Sequence, residues 1–311
     1  MTAPFASSSF ARAVVTILAA ILLFDVMGAI IKHLGDRYPT PQLSMLRNLF
    51  GLIPSVLVLL YSADWRARGY PIVIRQWPLG LLRGIFVVVA QFSFYLSLVH
   101  LEFATASTIA FAGPLFITAL SIPILGLKVG AWRWMAVCLG FGGVLLVMRP
   151  GTELFDWYAV LPLGAAFGYA CISISARLFD ESVPTALINV YSLFGALISS
   201  SALMFATTGF TDNQSNQDWI WLIIMGIAGG LAVFLLITAY RLTEPSNLSP
   251  FEYFGIPFSF TIGWLVFDEA PFDRLFPGVL LILSAGLVIV WRERVAAGAA
   301  SDRQHGAGAK H

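Results

Sequence analysis

The sequence predicts an all-α integral membrane protein: ten transmembrane helices arranged as two inverted five-helix repeats. Three observations predict it. First, 58% of the 311 residues are hydrophobic and only 11% are charged, against about 25% charged in an average globular domain. That is too little charge to cover a water-soluble surface of this size. Second, the apolar residues fall into ten runs near the ~20 residues that a helix needs to cross a bilayer. The runs do not strictly alternate, which argues against a β-barrel, and only helices or closed barrels satisfy their backbone in lipid. Third, the second half repeats features of the first at a nearly fixed offset. A net charge of +1 leaves no global field to attract nucleic acid. The expected partners are the lipid bilayer and a small organic solute, with the chain a monomer or homodimer.

A short segment, residues 1–13, precedes the first span at about 14–32. Arg12 before an apolar run has the look of a signal peptide, but Asp25 and Lys32 interrupt the pattern that a cleavage site needs. Counting from Val14 places Asp25 roughly 16 Å deep, near the midplane. A carboxylate there costs at least about 2.5–3.5 kcal/mol on insertion scales, so it should face a cavity or a partner. It is a proton site, a contact for a cationic solute group, or a neutral hydrogen-bonded packing residue. Lys32 and His33 at the outer boundary suit a gate or a headgroup contact equally. The second span, 42–61, follows Pro39-Thr40-Pro41 and carries Arg47 about five residues inside its outer end. That guanidinium either grips a carboxylate or phosphate or snorkels outward. The third span, 79–99, holds Arg83 near its cytoplasmic end, where snorkelling is favoured. Gln91 and Tyr95 are four apart there, hence on one face. The fourth span, 103–122, is interrupted by Gly113-Pro114. The fifth, 131–148, lies between Gly126-Leu127-Lys128-Val129-Gly130 and Arg149-Pro150-Gly151.

The sixth span, 158–176, contains Gly164 and Gly168, and the eighth, 219–240, contains Gly226 and Gly230. Both pairs have the small-xxx-small spacing of close helix packing. Tyr169, with Asn189 and Tyr191 of the seventh span (185–205), offers polar rings and an amide to a cavity. The ninth span, 247–267, opens through Pro245–Pro250, with two prolines, Asn247 and two serines, and should start as irregular backbone. Pro250, Glu252, Tyr253, Gly255 and Pro257 follow closely. The tenth span is 276–292, and the Ala-, Gly- and charge-rich tail 295–311 reads as a disordered cytoplasmic end. Cys138 and Cys171, in apolar runs, read as small core residues, and the four histidines show no zinc spacing.

Lys and Arg placement sets the orientation. With the N-terminus inside, twelve cationic residues fall on inner segments. Only Lys32, Arg37, Arg149 and Arg274 fall outside, and Arg47 and Arg83 lie within or at the edge of spans. The expectation is a multi-pass protein of the cell inner membrane with both termini cytoplasmic. Trp77, Trp132, Trp134, Trp157, Trp219, Trp221 and Trp291 sit near span ends, as an aromatic belt requires.

A shift of 142 residues superposes Gly84 on Gly226, Phe92 on Phe234, Glu102 on Glu244, Ser107 on Ser249 and Gly113 on Gly255. One more residue of shift aligns Pro114 with Pro257 and Gly143 with Gly286. Five spans per unit is an odd number, so a second unit, 150–294, enters the membrane from the side opposite the first, 14–149. That is the inverted repeat of secondary transporters, and interrupted spans at matching positions point to their solute site.

The first half carries Phe94-Tyr95-Leu96-Ser97-Leu98, Ala104-Thr105-Ala106, Gly113-Pro114-Leu115-Phe116 and Gly142-Gly143-Val144-Leu145-Leu146. The second carries Ala239-Tyr240-Arg241, Glu244-Pro245, Leu248-Ser249-Pro250-Phe251-Glu252-Tyr253 and Phe267-Asp268-Glu269. Over residues 14 to 294 this resembles the drug/metabolite transporter superfamily, of the type with paired EamA domains. The resemblance implies ten helices, a central cavity and transport of small organic solutes. Typical members carry Gly-Glu after the fourth span. Here Gly126-Leu127-Lys128 lacks that acid, and Asp268-Glu269 supplies the counterpart in the second half. The Ser249–Tyr253 stretch looks like the branch that includes bacterial riboflavin and S-adenosylmethionine uptake proteins.

The expected function is therefore a secondary transporter or facilitator working by alternating access, favoured as uptake of a ring-bearing metabolite, with amino-acid or metabolite export as the alternative. No P-loop, His-Glu-x-x-His or Gly-x-Ser-x-Gly occurs, so no ATP site, cofactor, metal or enzyme activity is expected. An intramembrane enzyme would need catalytic groups at one depth, and Asp25 and Glu252 differ in depth. The candidate solute or proton site is Asp25, Arg47, Gln91, Tyr95, Tyr169, Glu252 and Tyr253. Helix interruptions at Gly113, Pro114, Pro250, Gly255 and Pro257 border it.

Overall fold

A computed structural model describes residues 5–69, 72–126, 131–152, 155–180, 182–212, 215–242, 248, 251–288 and 291. Among the described residues all regular structure is helical. Helix α1 runs Phe5–Gly35 and α2 Thr40–Tyr61. Lys32 and His33 stand in the last turn of α1, where cations favour the helix dipole. Pro41 opens α2, where its missing N–H costs nothing. Helix α3 is Trp77–His100, followed by two short helices, α4 (Phe103–Ala110) and α5 (Gly113–Leu125). Then come α6 (Ala131–Met148), α7 (Leu161–Ser175, entered by a 3₁₀ turn), α8 (Thr185–Thr207) and α9 (Asn216–Leu242). Helix α10 is Gly255–Phe267 and α11 Gly278–Val288. Among the described residues seven stretches are long and apolar enough to cross a membrane, the α4–α5 pair counting as one of them, and three shorter apolar helices (within α6, and α10 and α11) bring the number to the ten read from the sequence.

The fourth and ninth spans match in detail. Helices α5 and α10 both begin with glycine, at Gly113 and Gly255, and both have thirteen residues. Both end in a left-handed cap, Gly126 (φ 66°) and Asp268 (φ 55°). Each pair of positions is 142 residues apart. Glycine enters that backbone region freely, and Asp is among the few other residues that tolerate it. Each helix is preceded by a break in the span, at Phe111-Ala112 and Tyr253-Phe254. Pro114, unable to donate to the preceding turn, accounts for the first break.

The largest helix contacts recur when the halves are exchanged. Helix α1 lies on α9 as α7 lies on α3, and α2 lies on α9 as α8 lies on α3. Helix α10 packs on α1 as α5 packs on α7, and α2·α8 is a pair that maps onto itself. Glycines set the closest crossings. A Cβ at Gly84 would stand 2.3 Å from the backbone of Gly195 and Ala196, which locks α3 to α8. A Cβ at Gly143 would stand 2.7 Å from the Gly278 carbonyl, where α6 crosses α11. Gly168 meets Ala90, and Gly226 and Gly230 meet Phe50 and Pro54, so both small-residue pairs serve helix contacts. The outer surface carries Val15, Leu57, Trp157, Phe205 and Leu265, all exposed, as a face turned to lipid requires. Cys138, expected in the core, is exposed on that surface, and Cys171 is half-buried.

Candidate functional site

The broken spans bring their loose ends together beside the middle of α1. The rings of Phe111 and Tyr253, one at each break, lie 5.9 Å apart. A Cβ on Gly255 would meet the tip of Phe111 at 2.6 Å and Ile21 at 3.3 Å, so any side chain here would have to displace the Phe111 ring. A Cβ on Gly113 would lie 3.1 Å from the Tyr169 ring, and the Tyr253 hydroxyl fills the space where Gly286 has no side chain. Glu252 directly precedes Tyr253 in the chain, beside the break. Tyr169, in the middle of α7, is exposed. Glu252 lies in the last turn before the break rather than well inside a continuous helix. Asp25 follows Ile21 by one turn of α1. Pro257 is exposed near the start of α10, and Pro250 lies outside the described residues.

A second polar cluster joins α2, α3 and α8. Asn48 and Gln91 exchange hydrogen bonds: Gln91 Nε2 donates to Asn48 Oδ1 (2.9 Å) and Asn48 Nδ2 donates to Gln91 Oε1 (3.0 Å). The Ser44 hydroxyl donates to the same Gln91 oxygen (2.6 Å), and Ser200 of α8 lies 3.5 Å from Asn48 Nδ2. Arg47 donates from Nη1 to Asn48 Oδ1 at 3.3 Å, and Tyr95 stands one turn beyond Gln91 on α3. Arg47 is 5% exposed, so it does not snorkel. The cluster had half its members in view from sequence; Ser44, Asn48 and Ser200 are additions.

Among the described residues six buried side chains have a polar atom without a hydrogen-bond partner, and five of them are on the first four spans. They are Asp25 Oδ2, Arg47 Nε, Tyr95 Oη, Ser107 Oγ and Thr108 Oγ1. Phe103, one turn before Ser107, touches Gly28, which is three residues beyond Asp25. Neighbouring spans run antiparallel, so that register sets Ser107 level with Asp25. Buried polar atoms are almost always paired, and leaving one bare costs about 1–3 kcal/mol. Asp25, Arg47, Tyr95, Ser107 and Thr108 thus carry unused hydrogen-bonding capacity on the first four spans. The apolar lining of Phe111, Tyr253 and Tyr169 rings adds surfaces for stacking.

One end of the bundle is fastened over this region. Lys32 Nζ pairs with Glu269 Oε1 at 2.7 Å and donates to the Leu101 carbonyl at 2.6 Å. The other Glu269 oxygen accepts the Phe103 N–H at 2.8 Å, at the bare N-terminus of α4. Arg274 pairs with Glu102 at 3.5 Å beside it. These contacts tie α1, α4 and the α10–α11 turn together. Nearby, Asp218 holds Arg37 (2.6 Å) and the Tyr38 hydroxyl (2.7 Å), fixing the start of α9 to the α1–α2 turn. A crevice of about 370 Å³ at this end, lined in part by Asp36, Arg37, Thr40 and His100, is a surface notch that holds none of the cluster side chains.

Two sequence expectations need correcting. Arg83 does not snorkel: it is 8% exposed and donates to Ser192 Oγ (3.0 Å), the Ile172 carbonyl (2.6 Å) and Ser175 Oγ (3.1 Å), pinning α3 to the ends of α7 and α8. Those carbonyl and hydroxyl acceptors at the end of α7 satisfy it better than the membrane surface would. The Tyr191 hydroxyl is already committed: it donates to the Ile72 carbonyl at 2.7 Å, at an exposed loop. Among the described residues no three His, Cys, Asp or Glu side chains gather to hold a metal ion.

Comparison with known proteins gives a consistent result. The EamA-like transporter family matches residues 11–149 and again residues 156–291. A riboflavin transporter of Vibrio cholerae is 27% identical over 89% of this chain and 92% of its own. An S-adenosylmethionine uptake transporter of Rickettsia bellii is 24% identical over 88% and 90%. The pseudopaline exporter CntI of Pseudomonas aeruginosa is 24% identical over 88% and 95%. A crystal structure superposes with a TM-score of 0.62 over 92% of this chain and 99% of the other, at 21% identity, a likeness in fold.

Proposed function

The chain belongs to the EamA-like transporter family, and we propose that it carries a ring-bearing organic metabolite across the cell inner membrane by alternating access. The observation that carries this reading is the set of bare polar atoms, Asp25, Arg47, Tyr95, Ser107 and Thr108, on spans beside two broken helices. The proposed units are residues 14–149 and 150–294, with both termini cytoplasmic. The Lys32–Glu269 end then faces outward and is shut in this conformation. Asp25 and Glu252 take the charged or proton-binding roles. Gln91, Tyr95, Tyr169 and Tyr253 hold the body of the solute, and the breaks at Gly113, Pro114, Pro250, Gly255 and Pro257 border it. Uptake is favoured by relatives named for riboflavin and S-adenosylmethionine. The pseudopaline exporter among the relatives favours the second reading, export of an amino-acid-like metabolite. Transport, not catalysis, is the activity expected, since these relatives are named as transporters.

The test is uptake into proteoliposomes with labelled riboflavin, S-adenosylmethionine, and aromatic and aliphatic amino acids. Saturable uptake or exchange of a ring-bearing member is expected. Exchange of aliphatic amino acids alone would favour the second reading, and no movement of any would overturn the substrate assignment.

A further inference from the structure

Among the described residues two arginines are buried, and the protein treats them differently. Arg83 is 8% exposed and makes three hydrogen bonds, to Ser192, Ser175 and the Ile172 carbonyl. Arg47 is 5% exposed and has one long hydrogen bond, 3.3 Å from Nη1 to Asn48 Oδ1. That acceptor already takes a shorter bond from Gln91. Its Nε is bare, and among the described residues no carboxylate pairs with it. A guanidinium has five donors and no acceptor, and an unpaired buried charge is among the costliest features a fold can keep.

The surroundings are shaped for that group. A Cβ at Gly229 would stand 2.9 Å from Arg47 Nε and 3.1 Å from Nη2, and one at Gly51 would stand 3.7 Å from Nη1. The guanidinium therefore lies in a recess left by two glycines, against the backbone of α9. Tyr95, whose hydroxyl is also bare, stands one turn beyond Gln91 on α3, and Gln91 is bonded to Asn48, the residue next to Arg47. The Asn48–Gln91 pair is locked by reciprocal bonds and the Ser44 hydroxyl. It fixes the arginine's flank without neutralising it.

We propose that Arg47 and Tyr95 form the receptor for an anionic group, a carboxylate or phosphate, on the transported solute. The inference rests on reading the chain as a solute transporter and deepens it: the solute is an organic anion or zwitterion, and a neutral ring system without such a group is a poor one. Guanidinium and phenol donors meet two oxygens of either anion, and the charge-assisted bonds supply the pairing that Arg47 lacks.

The test uses the purified full-length chain in detergent and reads thermal stabilisation by benzoate and by phenyl phosphate. Benzamide and chloride at matched ionic strength are the controls. Benzoate, phenyl phosphate or both are expected to stabilise the wild type saturably, and which of them does so separates carboxylate from phosphate recognition. Benzamide should not. Arg47→Gln should abolish the effect, Arg47→Lys should retain part of it, and Tyr95→Phe should weaken affinity roughly tenfold, the loss of one charge-assisted bond. Wild-type stabilisation by neither anion beyond chloride would overturn the proposal, as would saturable stabilisation surviving in Arg47→Gln. If Arg47→Gln does not fold, an unchanged anion affinity in Tyr95→Phe would overturn the shared receptor. The readout needs no solute to be moved, so failure of the transport reading in proteoliposomes is scored separately.

Discussion

Replacing Glu269 by Gln should loosen one end of the bundle by a definable amount. The carboxylate accepts from Lys32 Nζ at 2.7 Å and from the Phe103 N–H at 2.8 Å, with side-chain exposures of 12% for Lys32 and 23% for Glu269. Gln can keep the Phe103 bond as a neutral one and loses the ion pair. Hydrogen bonds to charged groups contribute about 1.5–3 kcal/mol against about 1 kcal/mol for neutral ones. Partial exposure screens the pair, so the smaller differences apply. The net shift toward the open state of this end is about 1–2 kcal/mol, or roughly five- to thirtyfold in population. The assay is labelling of Ser107→Cys by a membrane-impermeant thiol reagent from the Lys32 side, in a chain with Cys138 and Cys171 replaced by serine. Glu269→Gln should speed labelling by about that factor, and Lys32→Met should do likewise. A charge swap, Lys32→Glu with Glu269→Lys, should recover part of the protection. Unchanged or slower labelling in Glu269→Gln would refute the idea that this contact holds the end shut.

Other consequences are equally concrete. Gly84→Val should destabilise the protein in detergent by about 3 kcal/mol or more, because its Cβ would stand 2.3 Å from the α8 backbone; Gly142→Ala, with nothing within 4 Å, should be neutral in the same thermal melts. Asp218→Asn should cost about 2–3 kcal/mol, since it weakens two short bonds to a carboxylate only 2% exposed; melting indistinguishable from wild type would contradict this. Asp25→Asn should lower solute exchange at least tenfold while leaving the melting temperature within a few degrees, a split that exchange rates and melts on one preparation would show. Glu252→Gln should flatten the dependence of uptake on pH if that carboxylate carries a coupling proton, and an unchanged profile would assign it a purely solvating role.

Much of the fold was legible because lipid enforces a simple rule: apolar length reports a crossing. The ends of α2, α6 and α10 fall at the positions read from the sequence. Gly113 and Pro114 announced the break in the fourth span, and the 142-residue offset carried it to Gly255. Charge was harder to read. Arg47 and Arg83 look alike as single cations near span ends, and snorkelling describes many such residues. What separates them is whether another helix supplies acceptors, and for Arg83 these come from Ile172, Ser175 and Ser192, 89, 92 and 109 residues away. The same distance hid Asn48 and Ser200, whose significance exists only once α2, α3 and α8 meet. Ser107 and Thr108 gave no signal as single residues, because a small hydroxyl in a helix normally bonds its own backbone, as Ser55 does to Gly51. Only packing shows that theirs stay bare.

The measurement that tests the central claim most directly is protection of a thiol in the polar region by the solute itself. In proteoliposomes where a labelled metabolite exchanges, Ser107→Cys is modified with and without that metabolite at saturating concentration. The account predicts that the metabolite slows modification at least several-fold, with a half-effect at the concentration that half-saturates exchange, and that Asp25→Asn removes the protection. Modification at the same rate with and without a metabolite that the protein demonstrably moves would contradict it, because the solute would then pass somewhere other than between these spans.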